Sequence, residues 1–381
     1  MKKILFVATA NIFLPSGGGL ANRALLKALQ EDFPNRVDVV HPEVKNEVPS
    51  NFYLVPDYTG KEKIKGLLKG RVHKYNPWLL NFIDQHRGEY SHCLINGGVF
   101  GDLVEEVQAR GIKVCVIHHN YEVEFQMDNR SMPTFGGKFP WFVKRNERNA
   151  YRNADLNLFL TNSDSETFKR VYGDISKGNN TVIGIFEDFD RSFDDIKGKR
   201  LDANKLVICG SLNSVQTLRG IEHFSANCLP FIHSYYKDDF SLLITGRNPN
   251  DYICRLADSD KQIRLVPNPD NMSETIIDRG IFICPTNVGG GIKLRVMDGL
   301  KLGMPIITHK VSARGYDAFW DKPWFQIYED RDSFKRSLEK INSIMKENAG
   351  LRDEIIESYK QIFSFSRGKE RFLSSLMPFL S

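Results

Sequence analysis

Residues 281–310 read IFICPTNVGGGIKLRVMDGLKLGMPIITHK, and the rest of the chain is organised around them. The apolar run Ile281, Phe282, Ile283, Cys284 predicts a strand that Pro285 ends. Gly289, Gly290 and Gly291 predict a loop, and Ile292 carries it forward. Lys293, Leu294, Arg295, Val296, Met297, Asp298 and Leu300 predict the start of an amphipathic helix, closed by Gly303 and Pro305. Ile306 and Ile307 open a second strand. This is one strand–helix–strand unit of a parallel sheet. Glycines without Cβ atoms let a ligand approach the backbone closely. The helix behind them offers free N–H groups and a partial positive charge. Lys293 and Arg295 add full charges in the first turn, where cations oppose the helix dipole. A bound phosphate explains both. Asp298, further along, is placed to accept hydrogen bonds from sugar hydroxyls. The plain alternative is a glycine-rich turn that binds nothing.

Upstream, the same half begins with a strand at 206–209 followed by Gly210 and Ser211. A polar loop with Arg219 and Gly220 precedes a helix expected from about Ile221. Strands follow at 242–245, ending in Gly246 and Arg247, at 263–266 and at 325–328. Residues 331–380 read as mostly helical.

The first half has the same rhythm. A buried-strand pattern at 3–9 leads into a loop at 11–19 that ends in Gly17, Gly18 and Gly19, then a helix at 20–33. PSGGGLANR is not the dinucleotide fingerprint, and His41 and Pro42 stand where an acid would close the second strand. The glycines still bring backbone amides toward an acceptor or phosphate. Further strands are expected at 93–96, 113–117, 156–160 and 182–185, with Ser163 capping a helix that runs to Tyr172. His118 and His119 end the strand at 113–117. Ligands bind beyond the carboxyl ends of strands in doubly wound sheets, so either histidine is a candidate for contact with the reacting sugar; an ordinary strand-end histidine is the alternative. No further ligands at metal-binding spacing accompany them.

Two segments invite an anionic surface. Residues 58–78, YTGKEKIKGLLKGRVHKYNPW, interleave Lys61, Lys63, Lys65, Lys69, Arg71 and Lys74 with Ile64, Leu67, Leu68, Val72 and Trp78. A helix at 139–154 mixes Trp141 and Phe142 with Lys144, Arg145, Arg148 and Arg152. Solvated basic helices are the competing reading of both. Residues 187–200 read as the linker between halves. Their Asp188-Phe189-Asp190 has the form of a metal–diphosphate motif but falls in linker sequence.

At 381 residues the chain is long enough for two domains with a core each. A net charge of +5 suits anionic ligands and is too small to argue for nucleic acid. The 6 cysteines form no CxxC pair and mostly sit in apolar runs, which reads as a reduced, cytoplasmic protein. The opening MKKILFVATA is a first strand rather than a signal peptide, and no run is long enough to span a membrane.

In order along the chain, PSGGG, HHNYE, NADLNLFLTNSDSE, VICGSLNSVQTLRGIEHF, LLITGRNP, the 284–310 motif and FSFSRGKERF resemble the GT-B glycosyltransferases, in particular the retaining, family 4 type. The resemblance implies an α/β fold of two Rossmann-like domains facing across a cleft. They would be an acceptor domain at 1–190 and a nucleotide-sugar domain at 191–358, with a C-terminal helix at 359–381 returning to the first. It implies a hexosyltransferase-type enzyme that needs no metal or cofactor and uses a UDP- or GDP-sugar donor. The acceptor would be a glycan or lipid-linked molecule in cell-surface polysaccharide synthesis, at the inner face of the membrane, with peripheral contact through 61–78. By the same resemblance His118 lies at the reaction centre, with His119 as the register alternative. Gly289, Gly290, Gly291, Ile292, Lys293, Arg295, Arg219 and Ser211 hold the diphosphate, with Arg247 as a further candidate, and Asp298 holds the ribose. Gly290 stands where the family carries a sugar-reading glutamate, and the basic pair that binds diphosphate elsewhere is replaced here by Ser211 and Thr217. A nucleotide-sugar 2-epimerase and a non-catalytic binding protein on the same fold are the alternatives.

Overall fold

The structure is a computed structural model that describes residues 2–9, 11–14, 17–45, 47–56, 60–68, 75–128, 140–190, 192–193 and 195–381. The chain forms two compact units: Met1–Asp190 with Phe363–Ser381, and Arg191–Ile362.

The first unit is built on strands β1 (Lys3–Ala8), β2 (Val37–Pro42), β3 (Phe52–Val55), β4 (Tyr90–Asn96), β5 (Lys113–His118), β6 (Leu156–Phe159) and β7 (Asn179–Val182). They pair in the order β3-β2-β1-β4-β5-β6-β7, every pair parallel. Strands β1, β4 and β5 are buried along nearly their whole length, as expected where helices cover both faces of a parallel sheet. Leu5, Val7, Cys93, Ile95, Val114 and Val116 are all fully buried in its main core.

The second unit carries β8 (Lys205–Ser211), β9 (Ser241–Arg247), β10 (Ile263–Pro267), β11 (Ile281–Cys284), β12 (Ile306–His309) and β13 (Phe325–Tyr328). Their order is β10-β9-β8-β11-β12-β13, again all parallel. In each sheet the winding reverses once, between β1 and β4 and between β8 and β11. A crevice opens at the carboxyl ends of the strands at such a reversal.

Several local expectations change. Edge strand β3 has no counterpart in the sequence reading; it is four residues long. β7 covers Asn179–Val182 rather than 182–185. The apolar residues after it, Ile183, Ile185 and Phe186, are buried. Phe186 packs against Gly368 in the helix Phe365–Leu380, so their hydrophobicity serves helix packing rather than strand pairing. Thr161, not Ser163, caps the helix Asn162–Tyr172: its extended backbone lets the side chain accept from the Asp164 N–H. Ser214 caps a helix that begins at Val215, so Thr217 and Arg219 belong to its opening turns and not to a loop.

The final helix closes the first unit. Arg371 Nε donates to the Ile183 carbonyl at 3.1 Å, Lys369 pairs with Glu31 at 2.9 Å, and Phe379 meets His92 edge-on. Asp188, in the DxD sequence, pairs with Arg23 at 2.6 Å, while Asp190 accepts from the Ser366 N–H; here both carboxylates tie chain segments together.

Candidate functional site

In the second unit, the loops after β8 and β11 meet at the sheet's reversal. Ser211 ends β8, and its hydroxyl donates to Asn213 Oδ1 at 3.0 Å. The helix that follows β11 covers only Arg295–Leu300, with Leu294 as its N-cap residue. Gly289 through Lys293 therefore all lie in the loop, which corrects the expected helix start at Lys293. The cause is visible at the side chain: Lys293 Nζ turns back and donates to the carbonyls of Gly289 (2.9 Å) and Gly290 (2.7 Å). Tyr316 holds the next link by donating its hydroxyl to the Lys293 carbonyl at 2.8 Å. Lys293 is a staple of the loop and not an outward-pointing cation. A six-residue helix also carries little of the dipole on which the sequence argument leaned.

Gly289 has φ +96°, and a Cβ there would lie 2.2 Å from Gln216 Nε2. The positive φ favours glycine, and any side chain there would also have to displace the Gln216 amide. The Gln216 amide nitrogen is buried and has no hydrogen-bond partner. It is a donor next to a glycine loop, a feature the sequence reading passed over. Arg295 is the half-exposed cation here. Its Nε lies 3.9 Å from the position of a Cβ on Gly210, beside the end of β8. Asp298, read as the ribose ligand, is paired: Lys301 Nζ sits 2.7 Å from Oδ1 and Arg295 Nη1 is 4.0 Å from Oδ2. Burial, and then the Asp298 charge, push the adjacent Cys209 thiol well up, so it is an inert neighbour. Arg219 and Arg247 are both exposed. Arg247 ends β9 opposite Ser211 of β8 in register, so it borders this crevice. The structure thus gathers Ser211, Gly289–Gly291, Ile292, Lys293, Arg295 and Asp298 at one reversal point, with Gln216 added.

In the first unit, Gly17, Gly18 and Gly19 are the first turn of the helix Gly17–Asp32 rather than the loop before it. A Cβ on Gly19 would stand 2.1 Å from the Leu14 carbonyl oxygen, so the preceding loop folds directly over the helix start. His118 is fully buried. Its ring stacks on Phe159 at 4.8 Å and meets Phe168 edge-on at 4.7 Å, and Nε2 bonds Asn157 Oδ1 at 2.8 Å. Burial pushes it down to about 4. His118 is thus packed among aromatic rings in the first unit, with its Nδ1 unpartnered beside Gly98 in the loop after β4. His119 retains exposed surface and bonds Asn96 through Nε2.

Glu147, beside Gly98 together with His118, is fully buried and accepts from the Glu122 N–H (2.8 Å) and the Tyr172 hydroxyl (2.7 Å). Asp164 accepts from the Tyr121 N–H at 3.1 Å. Among the described residues no group of three or more His, Cys, Asp or Glu side chains is arranged to hold a metal ion. The basic segment is described only in part, since 69–74 and the side chain of Lys63 lie outside the described residues. Ile64 and Leu68 are exposed, whereas Trp78 stacks on Phe82 at 5.2 Å and belongs to the core. Trp141 is exposed and Phe142 buried, which splits the second aromatic–basic helix between surface and core.

No protein-family model and no curated protein sequence matches the chain. Solved structures do match it along its full length. It is similar to a sucrose-phosphate synthase from Thermosynechococcus elongatus, with TM-score 0.69 and 14% identity over 100% of this chain and 99% of that one. It is similar to Anabaena HepE in complex with UDP, with TM-score 0.66 and 13% identity over 99% and 100%. It is also similar to an E. coli trehalose-6-phosphate protein bound with UDP-2-fluoro glucose, with TM-score 0.64 and 12% identity over 98% and 99%. At these identities the shared property is the fold: two parallel-sheet α/β units of the GT-B type.

Proposed function

We propose that this chain is a glycosyltransferase that takes a UDP-sugar as donor and passes the sugar, with retention, to a glycan or lipid-linked acceptor in cell-surface polysaccharide synthesis. The observation that carries this reading is the reversal point of the second sheet. There a glycine loop, the Arg295 guanidinium and an unpartnered Gln216 amide converge beside the ends of β8 and β11. Diphosphate oxygens would satisfy the Gln216 donor and the free loop amides together. Among the fold's neighbours, three are complexes with UDP or a UDP-sugar.

In this reading the leaving diphosphate is stabilised by Arg295, Gln216 and loop N–H groups, without a metal. Asp298 exchanges its Lys301 contact for ribose hydroxyls. Arg219 and Arg247 supply longer-range positive potential. The enzyme works in the cytoplasm at the inner membrane face. Exposed Ile64, Leu68 and Trp141 with neighbouring Lys61, Lys65, Lys144 and Arg145 favour contact with anionic lipid. No helix among the described residues is long and apolar enough to cross a membrane.

The test is calorimetric titration of the full chain with UDP, GDP and a panel of their sugars, in chelator and in magnesium. UDP binding in chelator, with release of UDP from one UDP-sugar, is the expected result. Absence of binding by every nucleotide at millimolar concentration sinks the reading. Binding without release, even with oligosaccharide acceptors, points instead to a non-catalytic sugar-nucleotide binder.

A further inference from the structure

Four groups at the reversal point of the first sheet are joined in line. Gly18 and Asn22 lie in the helix after β1, Asn96 is the last residue of β4, and His119 follows β5. Asn22 Nδ2 donates to the Gly18 carbonyl at 2.6 Å, Asn96 Nδ2 donates to Asn22 Oδ1 at 2.6 Å, and Asn96 Oδ1 meets His119 Nε2. Asn96 is 0% exposed and Asn22 2%, so water does not compete for these bonds. The Thr9 hydroxyl also pins the Asn96 backbone carbonyl.

We propose that Gly18, Asn22 and Asn96 act as a positioning relay that fixes the tautomer of His119, leaving its Nδ1 as the hydrogen-bond acceptor for a hydroxyl group of the substrate. The direction follows from the one group that cannot be reversed. A backbone carbonyl only accepts, so the Asn22 atom facing Gly18 is its NH2. Asn22 Oδ1 then faces Asn96, which must offer its own NH2. Asn96 Oδ1 is left facing His119, and an amide oxygen only accepts, so Nε2 carries the proton. Burial pushes His119 down to about 4, so the ring is neutral at physiological pH and has one proton to place. With that proton on Nε2, Nδ1 bears a lone pair. A lone pair at the sheet's reversal point welcomes a hydroxyl and repels phosphate or carboxylate. The group held there therefore bears a hydroxyl. Only the identity of that group as a sugar rests on the glycosyltransferase reading.

The test is the two-bond proton–nitrogen spectrum of the histidine side chains in the 15N-labelled full chain at neutral pH, with His119 assigned by H119Q. A neutral ring with the proton on Nε2 is expected, shifting toward a mixture of tautomers in N96L and, to a smaller extent, in N22L. Protonation on Nδ1, an even mixture or an imidazolium in the unmodified chain would overturn the relay. So would an unchanged tautomer in both variants. Titration with UDP-glucose, other UDP-sugars and free hexoses should move the Nδ1 resonance with at least one of them, and no movement with any of them in a chain that binds UDP would overturn the acceptor role. The tautomer is read without nucleotide. Failure of UDP binding thus leaves the relay standing, and a wrong tautomer leaves the nucleotide site standing.

Discussion

At the residue scale, neighbours decide what each charge does. Lys293 and Arg295 look equivalent in the sequence, yet Lys293 is spent on two carbonyls of its own loop and Arg295 stands half exposed beside the end of β8. Arg295→Ala should weaken UDP binding about tenfold, or ~1.4 kcal/mol, the scale of one charge-assisted contact; titration calorimetry reads it. An unchanged affinity would place the diphosphate elsewhere. Glu122 makes a second residue-level case. Burial pushes its carboxyl from 4.5 up to about 7. A raised folded value means that the folded state holds the proton more tightly than the unfolded chain. Its contribution is therefore fully present below about 4.5 and is lost as pH rises through about 7. Glu122→Gln should melt about 2–4 °C above the unmodified protein at alkaline pH, with the difference vanishing in acid. Equal melting temperatures at alkaline pH would show that the carboxylate is well solvated.

At the element scale, the loop after β11 is held in one shape by its own atoms. Gly289 takes a left-handed conformation with Gln216 pressed against it, while Lys293 closes the turn from behind. Gly289→Ala should cost roughly 1–2 kcal/mol of backbone strain in addition to the clash. UDP affinity should fall while the far-ultraviolet circular dichroism is unchanged. Adding Gln216→Ala should remove the clash but not the strain, so the melting temperature lost in Gly289→Ala should return only in part, while UDP affinity stays low because the Gln216 donor is gone too; full recovery of the melting temperature would mean that the backbone conformation is unimportant. Much of this element was legible beforehand. β11, β12, the glycines and the closing Gly303 follow from apolar runs and punctuation. The helix start was not, because Lys293 has good helical propensity and its attachment to two carbonyls depends on where the loop bends. The Gln216 donor was equally hidden, being one ordinary polar residue in an ordinary amphipathic helix.

At the scale of the whole molecule, the last helix belongs to the first unit although the second unit precedes it in sequence. The Glu187 N–H bonds the Phe363 carbonyl at 2.9 Å, and Lys27 lies over the Phe365 ring. Removing residues 364–381 should expose Ile183 and Phe186 and lower the melting temperature of the first unit, while the second unit keeps its transition. Scanning calorimetry would then resolve two transitions where the first has moved down. A single unmoved transition would contradict the assignment of this helix to the first unit's core.

The sequence by itself determined the α/β class, the parallel strands and the glycine loops, because apolar periodicity and Gly/Pro punctuation are local properties that survive without neighbours. It could also bring the segments bearing Ser211, Gly289–Gly291 and Arg295 under suspicion. Only the tertiary structure decided which histidine is accessible. His118 and His119 are adjacent in sequence, the first ending β5 and the second just beyond it. Alternation across the strand sends the first into a wall of Phe159 and Phe168 and leaves the second against Asn96 at the sheet's reversal. Which face is filled depends on side chains brought in from β6 and the helix after it, and that is information no single stretch of sequence contains.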